Sequence, residues 1–363
     1  MSRIESGFMV LALAVPALAA AGPPKEQPAA PAEQYQALVK GYQDAMQTSS
    51  EALGKAKTYE ERLKVFDEVY PKPEKLAPRF LELAEKHPRD PVAFDALTWI
   101  VVNCVGSPAR IPARAKAVAI LSQGHARSAK LGPVCQTLAS GYDEETAILL
   151  TAVLDKNPSK DVQAEACLAL VQQYSLRLEI SDRGWIQRGE ERRADSANLA
   201  AQGKRYAKQF AENYLGRMKP ERIAQLCQAL ALRYSTDEGR ETLFRTLLEK
   251  DSRREAQGLA SLTLAQVLKR RLEMTPAAGE ATASRVRTES EKLLRRASDQ
   301  FGDVKLAAGG TVGDKAQLEL DDILHLAVGK VVPEIEGQDQ DSNKFKLSDY
   351  RGKVVLLDFW HRD

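Results

Sequence analysis

The sequence predicts a mainly α-helical protein: an irregular array of helical hairpins, similar to an α-solenoid, followed by the N-terminal fragment of an α/β domain. Three observations predict this class. Apolar residues recur at helical spacing, with only brief breakers, from about residue 35 to 301. Segments within that stretch resemble one another. Residues 328–363 then change to short alternating patterns that are typical of strands.

The composition is that of a globular protein with more than one structural unit. The 363 residues are 44% hydrophobic, 28% charged and only 6% aromatic, which favours helices rich in alanine and leucine over sheets. The formal net charge is +2, and mixed charge clusters such as residues 188–193 are typical of solvated helix faces. The sequence therefore lacks the basic surface of a nucleic-acid-binding protein, and we expect no nucleic acid among its partners.

The N-terminus has the features of a secretory signal peptide. Arg3 precedes an apolar run over residues 8–18, and the small residues at 17–21 fit the A-x-A cleavage pattern. The run is shorter than the roughly 20 residues of a membrane-spanning helix. We expect a signal peptide over residues 1–21, a Pro/Ala-rich leader over 22–34, and export to the periplasm or cell envelope. An uncleaved N-terminal membrane anchor is the alternative. The segment contains no lipobox cysteine, so we do not expect a lipoprotein.

Three segments resemble one another and predict the repeating unit. Residues 154–170 resemble residues 248–264, and residues 86–97 form a weaker third copy that aligns with residues 156–167. The first two segments match at Leu154/Leu248, Lys156/Lys250, Gln163/Gln257, Ala166/Ala260, Leu168/Leu262 and Leu170/Leu264. Generic similarity between helices is the alternative explanation.

Each copy predicts a helix that ends at a lysine, a short turn and a second helix. The lysine complements the negative end of the first helix's dipole. Asn157 or Asp251 suits the turn or cap, and Pro88 or Pro158 suits the turn or the first helical position. We expect a helical-repeat domain over residues 35–301, then a linker and short helix over 302–327. Such arrays are scaffolds or binding surfaces, so we expect a protein partner.

The helical region offers no recognisable reactive site. Its four cysteines are not in C-x-x-C pairs, and no histidine lies at a metal-ligand spacing from them. Export permits disulfides, with three possible pairings, but the apolar helical surroundings favour buried free thiols. We assign no catalytic, cofactor-binding or metal-ligating residue. The residues considered are Cys104, Cys135, Cys167 and Cys227, the isolated His87 and His125 (surface or capping positions), and Trp99 and Trp185 (packing positions).

The last segment, residues 328–363, has the pattern of a small sheet. Residues 334–337 are short and extended, 341–343 suit a hairpin turn, and 344–347 alternate as a half-buried strand does. Residues 348–352 suit a one-turn helix with serine as cap and glycine as stop. Residues 353–360 suit a strand in a sheet that is buried on both faces.

This segment closely resembles the opening of the redoxin and TlpA-like thiol-disulfide oxidoreductases, the extracytoplasmic branch of the thioredoxin superfamily. That family's pattern runs G-K-x-x-P-x-[IF], a turn, [FV]-x-L-S-D-x-[RK]-G-K-[VT]-V-[LV]-[LV]-x-F-W and then x-x-W-C-x-x-C. Residues 329–360 follow it almost position by position. The resemblance covers about a tenth of the chain and implies a thioredoxin-like fold.

The resemblance also implies a thiol redox centre that the 363 residues do not contain. The first cysteine of the family's pair would fall one residue after Asp363, and Asp363 stands where the family prefers tryptophan. We expect a chain truncated before its C-x-x-C motif, through a premature stop, a frameshift or an incomplete gene model, and inactive in redox chemistry as given. The AhpC/TSA-type peroxidase branch fits less well, because it favours aromatic-x-P and a lone cysteine after the strand.

Two alternatives follow from the same residues. The protein is a thiol-disulfide oxidoreductase family member without its catalytic pair, or it is a non-enzymatic helical-repeat scaffold. In either case the apolar strand at 354–360 lacks a complete sheet, so it must pair with the local hairpin, dock on the helices or remain exposed.

Overall fold

The computed structural model describes residues 29–104, 111–182, 190–231, 238–274, 279–306, 309–326, 330–338 and 341–358. These residues are mostly helical, which confirms the mainly α-helical class, with a single two-stranded sheet among them. The helices are α1 Pro31–Lys55, α2 Tyr59–Glu68, α3 Pro73–Lys86, α4 Pro91–Asn103, α5 Pro112–Ile120, α6 Leu131–Leu138, α7 Glu144–Lys156, α8 Lys160–Asp182, α9 Glu190–Asn213, α10 Pro220–Ala231, α11 Glu238–Lys250, α12 Arg254–Met274, α13 Glu280–Phe301 and α14 Val312–Asp321. The strands are β1 Glu336–Gln338 and β2 Lys344–Lys346.

The predicted signal peptide and most of the predicted leader lie outside the described residues. The helical region begins earlier than the sequence predicts, because α1 starts at Pro31 within the expected leader. Proline is tolerated there, since the first position of a helix needs no backbone N–H donor. The side chain of Glu33 also accepts a hydrogen bond from the N–H of Ala30, at 3.2 Å. Both features stabilise the start of α1.

From α3 onward the helices stack into a two-layer array, in which the pairs α3/α4, α7/α8, α11/α12 and α13/α14 form hairpins. One layer consists of α4, α6, α8, α10, α12 and α14, each of which contacts the next. In the other layer α5 contacts α3 and α7, and α9 contacts α11. Each hairpin therefore buries its apolar face against its neighbours, as in α-solenoids.

The core is densest along α8 and α12, the two long helices of the layer that begins with α4. Ala164 and residues 166–171 of α8 are fully buried, and Ala260, Leu264 and Leu268 of α12 are buried as well. α8 contacts helices of the hairpins on both sides of its own. A helix that is covered on several sides needs apolar residues around most of its circumference, which explains its weak amphipathic pattern.

The predicted hairpin boundaries are confirmed: α3, α7 and α11 end at Lys86, Lys156 and Lys250. The turn after α7 and the turn after α11 have the same geometry. The side-chain oxygen of Asn157 accepts the N–H of Ser159 at 3.0 Å, and the side chain of Asp251 accepts the N–H of Arg253 at 3.0 Å. This short side-chain turn redirects the chain into the next helix.

A glutamine six residues after the turn residue completes the unit. Nε2 of Gln163 donates to the carbonyl of Asn157 at 2.6 Å, and Nε2 of Gln257 donates to the carbonyl of Asp251. The weaker third copy has Ala93 at the glutamine position, and there Asp90 instead caps α4 by accepting the N–H of Val92 at 2.9 Å.

The same turns connect neighbouring hairpins. Nδ2 of the buried Asn157 donates to the carbonyls of Ala126 and Ser128 in the preceding unit, at 2.8 and 3.0 Å. Oε1 of Gln163 accepts from the hydroxyl of Tyr214 in the following unit at 3.0 Å. Each turn is therefore joined to the units on both sides.

A buried ion pair also joins two hairpins. The guanidinium of Arg114 in α5 donates to both carboxylate oxygens of Asp143, the cap of α7, at 2.8 and 3.0 Å. Burial alone would raise the pKa of Asp143, but the Arg114 guanidinium and the N–H of Thr146 outweigh it and lower that pKa below its usual value. The pair thus holds a charged α7 N-terminus inside the array.

The segment predicted as a linker over 302–327 packs into the helical core. Val312, Ala316 and Leu320 of α14 lie on one face and are buried against α12 and α13. Gly302 and Gly313 pack backbone against backbone, where the N–H of Gly313 donates to the carbonyl of Gly302 at 3.1 Å. The short helix predicted within 302–327 is present as α14 and a following π-helical turn over 322–326.

The sheet predicted near the C-terminus is present only as a hairpin. β1 pairs antiparallel with β2, with Gly337 opposite Phe345. The strand predicted over 353–360 is wrong for its described part, residues 353–358, which join no ladder. The physical reason is that a central strand needs neighbours on its edges, and the described residues supply none there. Phe359 and Trp360 lie outside the described residues.

Replacing the turn residue Asn157 by alanine tests the connection between hairpins. We expect Asn157→Ala to lower the free energy of unfolding by about 1–3 kcal/mol, because the buried carbonyl of Ala126 loses the amide donor and that of Ser128 keeps only the N–H of Leu131. Urea denaturation followed by circular dichroism measures the change. Asn198→Ala, on an exposed part of α9, is the matched control, and we expect it to change stability by less than about 0.5 kcal/mol. Equal effects of the two substitutions would contradict this role.

Candidate functional site

The four cysteines of the chain all lie in described residues and all are buried free thiols. Burial raises the pKa of each thiol to about 12, with a further increase at Cys104 from Glu74 and at Cys135 from Glu165. At neutral pH these thiols are therefore protonated. Reactive cysteines need an exposed, stabilised thiolate, so these four are packing residues.

The other residues singled out in the sequence have structural positions. Trp99 stacks on Phe80 with ring centroids 3.9 Å apart, and His125 packs edge-on against Phe94 at 5.6 Å. His87 follows the last residue of α3 and is its C-cap. Trp185 lies outside the described residues. Within the part of the chain that the structure describes, no cluster of three or more His, Cys, Asp or Glu side chains could hold a metal ion.

The polar residues of the C-terminal hairpin hydrogen-bond to its backbone. The backbone N–H of Ser348 donates to the carboxylate of Glu334 at 2.9 Å, and the N–H of Lys346 donates to that of Asp349 at 2.9 Å. Hydrogen bonds from Ser348 also lower the pKa of Glu334. The predicted one-turn helix is a 3₁₀ turn over Leu347–Tyr350, so Lys346 rather than Ser348 occupies the cap position.

Gly352 then turns the chain out of the hairpin. Its φ of 82° lies in the left-handed region, which glycine adopts without a steric penalty. The following run has four consecutive apolar side chains in solvent: Val354 and Leu356 are 103% and 93% exposed, and Val355 and Leu357 are 41% and 44% exposed. The segment therefore carries apolar side chains on both faces and has no covering layer within the described residues.

The described array has several grooves large enough for a partner. One, about 700 Å³, lies between α1 and α3. Another, about 510 Å³, lies between α6, α8 and α10. A third, about 460 Å³, lies between α7, α8 and α9 and is lined by Tyr174 and Arg177. Tyr174 stacks on the buried Tyr206 with centroids 5.5 Å apart, and Arg177 and Arg205 lie over those two rings. Acidic and basic side chains both line this third groove, namely Glu144, Asp155, Lys156 and Arg177.

None of the helices in the described ranges is both long enough and apolar enough to span a bilayer.

Comparisons with known proteins add no family. No family model matches the chain, and no curated protein matches it. Among solved structures, the chain is similar to one from the computational design of self-assembling cyclic protein homooligomers, at 15% identity over 81% of this chain and 93% of the other. The TM-score is 0.18, and at that value the likeness carries no argument about fold or function.

We predict that the four native thiols are unreactive. At pH 8 a water-soluble aromatic disulfide should label none of them in the folded protein within minutes and all four after denaturation, because burial suppresses the thiolate. Absorbance of the released thiol measures the reaction. Ser50→Cys, at an exposed position of α1, should add one fast-reacting thiol as the positive control. A fast-reacting thiol in the unmodified folded protein would show that one of the four is accessible.

Proposed function

We propose that this protein is an exported member of the thioredoxin-like redoxins, in which the helical array binds a protein partner and a redox domain begins near residue 328. One observation carries the proposal: the ordered pattern over residues 329–360, which combines the capped hairpin, the Gly352 turn and the apolar run. Any one of these features is common, whereas their order matches the family's pattern almost position by position.

The exposure of the apolar run supports this proposal on physical grounds. Side chains in an extended segment alternate between two faces, so four consecutive apolar residues place apolar groups on both. Such strands belong in sheets covered on both sides, as in α/β domains. Leaving Val354 and Leu356 fully in water forgoes roughly 1.5–3 kcal/mol of burial for each side chain. A further sheet with helices on both faces would recover it.

The proposed redox chemistry cannot use the cysteines of the array. A thiol-disulfide exchange centre needs a low-pKa thiolate with a resolving thiol nearby. The four thiols of the array have raised pKa values and form no disulfide: Cys104, Cys135, Cys167 and Cys227. We therefore expect the 363 residues alone to be inactive in thiol-disulfide exchange. In a native protein that has the family's catalytic cysteine pair, we expect that pair after Asp363.

The second candidate function is a non-enzymatic helical-repeat scaffold of the cell envelope. The observation that favours it is the stacked array with its grooves, because α-solenoids present such surfaces to proteins. In that case residues 328–363 do not contribute to the activity.

The intact mass of the protein purified from its native source separates the two candidates. We expect a mass larger than that of residues 22–363 by about one thioredoxin-like domain, on the order of 100 residues. Recombinant residues 22–363 serve as the mass standard. A native mass equal to the standard would contradict the redox proposal and favour the scaffold. A native N-terminus at Met1 rather than near Gly22 would contradict cleavage of a signal peptide.

A further inference from the structure

The groove between α1 and α3 has an apolar floor and lies at the N-terminal end of the array. Its floor contains Leu38 and Tyr42 from α1 and Leu76 and Leu83 from α3. α1 is held in place by aromatic contacts: Tyr35 meets Phe80 edge-on at 5.8 Å and Tyr42 meets Trp99 edge-on at 5.2 Å. The groove is therefore a fixed part of the fold, since both walls are packed against the core of the first hairpin.

One wall of this groove is cationic. Lys72, Lys75 and Arg79 line it, are exposed, and make no salt bridge among the described residues. Lys86, the fourth cation, pairs with Glu82 at 2.6 Å. The acidic residues of the groove are Glu33 and Glu82, and Glu82 also interacts electrostatically, though more weakly, with Arg79. The four cations of the lining outnumber its two carboxylates, so an excess of positive charge lies beside an apolar surface.

The opposite wall is lined by small residues. Ala37, Gly41 and Ala45 are spaced by four and lie on one face of α1. A glycine inside a helix costs about 1 kcal/mol relative to alanine. A Cβ atom added at Gly41 would meet nothing within 4 Å, so no neighbour in the described structure requires the glycine. The missing side chain leaves room for the backbone of another helix to approach α1.

We propose that this groove binds an amphipathic helix of a partner protein, whose apolar face carries carboxylates along one flank. The apolar residues would cover the floor, the small residues of α1 would admit the helix backbone, and the carboxylates would face Lys72, Lys75 and Arg79. The inference deepens the binding role proposed for the array and rests on it. The groove between α7, α8 and α9 and the groove between α6, α8 and α10 do not make the same case, because the acidic and basic residues that line each of them are equal in number.

The probe is a fluorescein-labelled peptide of about five helical turns, with leucines at i, i+3, i+4 and i+7 and glutamates on the flank. The same peptide with lysines in place of glutamates is the matched control. Fluorescence anisotropy on the purified protein measures both dissociation constants. We expect the acidic peptide to bind at least about tenfold more tightly than the basic one, with an affinity that falls as salt increases.

Substitutions then locate the site. Gly41→Leu fills the groove and should weaken binding of the acidic peptide by about tenfold or more, because the leucine occupies the space of the incoming helix. Gly54→Leu is its matched control: Gly54 is also in α1 with nothing within 4 Å, but it does not line the groove. Both changes favour helix formation, so loss of binding through unfolding is not expected, and thermal melts verify this.

Charge reversal is the independent test. The pair Lys75→Glu and Arg79→Glu should reverse the preference toward the basic peptide, whereas Lys40→Glu with Lys64→Glu, outside the groove, should not. Equal binding of the two peptides, or of Gly41→Leu and Gly54→Leu, overturns the inference. Binding of the acidic peptide that ignores every groove variant also overturns the inference, because the array then binds the peptide elsewhere. Absence of binding by both peptides overturns the inference. A dimer in sedimentation that Gly41→Leu dissociates also overturns it, because the groove is then covered by a second copy of the chain. The native mass tests the proposed function separately.

Discussion

Two glutamine side chains hold the hairpins of the array in register. Gln163 and Gln257 each use Nε2 to satisfy a turn carbonyl of their own unit and Oε1 to accept from the next unit, from Tyr214 and from Arg296 respectively. A turn carbonyl and a side-chain amide are both costly to bury unpaired, so each bond constrains where the next hairpin can sit. Nonspecific apolar packing between alanine- and leucine-rich helices would not by itself fix that position.

These contacts separate the stability of the molecule from its proposed activity. The cysteines, Trp99 and the buried ion pair at Arg114 all lie in the contacts that hold the array together. The grooves of the array and the apolar run after Gly352 remain accessible. A binding role for the array and a sheet-forming role for the C-terminal run therefore do not compete for the same residues.

Much of the fold could be predicted from local sequence, because the signals were local. The helix ends at Lys86, Lys156 and Lys250 and the turn residues Asn157 and Asp251 follow from capping chemistry and spacing. The matched pair Gln163/Gln257 was visible as well, but its role depends on partners such as Tyr214 that lie far away in sequence. The packing of α14 and the groove beside Gly41 were not predictable, since both depend on which helices become neighbours. The strand expected over 353–360 shows the same limit: its side-chain pattern is local, but its pairing needs other strands.

Hydrogen exchange resolved by mass spectrometry tests the central claim most directly, namely that a cooperatively folded array carries an extended apolar run without its sheet. In the purified 363-residue protein, the amides of α8 around residues 164–171 should exchange most slowly, because opening them disrupts contacts with helices of several hairpins. The amides of residues 354–358 should exchange within seconds, at rates close to those of an unstructured peptide. Protection of residues 354–358 as strong as that of α8 would contradict the account, since it would mean that the run is already paired or docked within this chain.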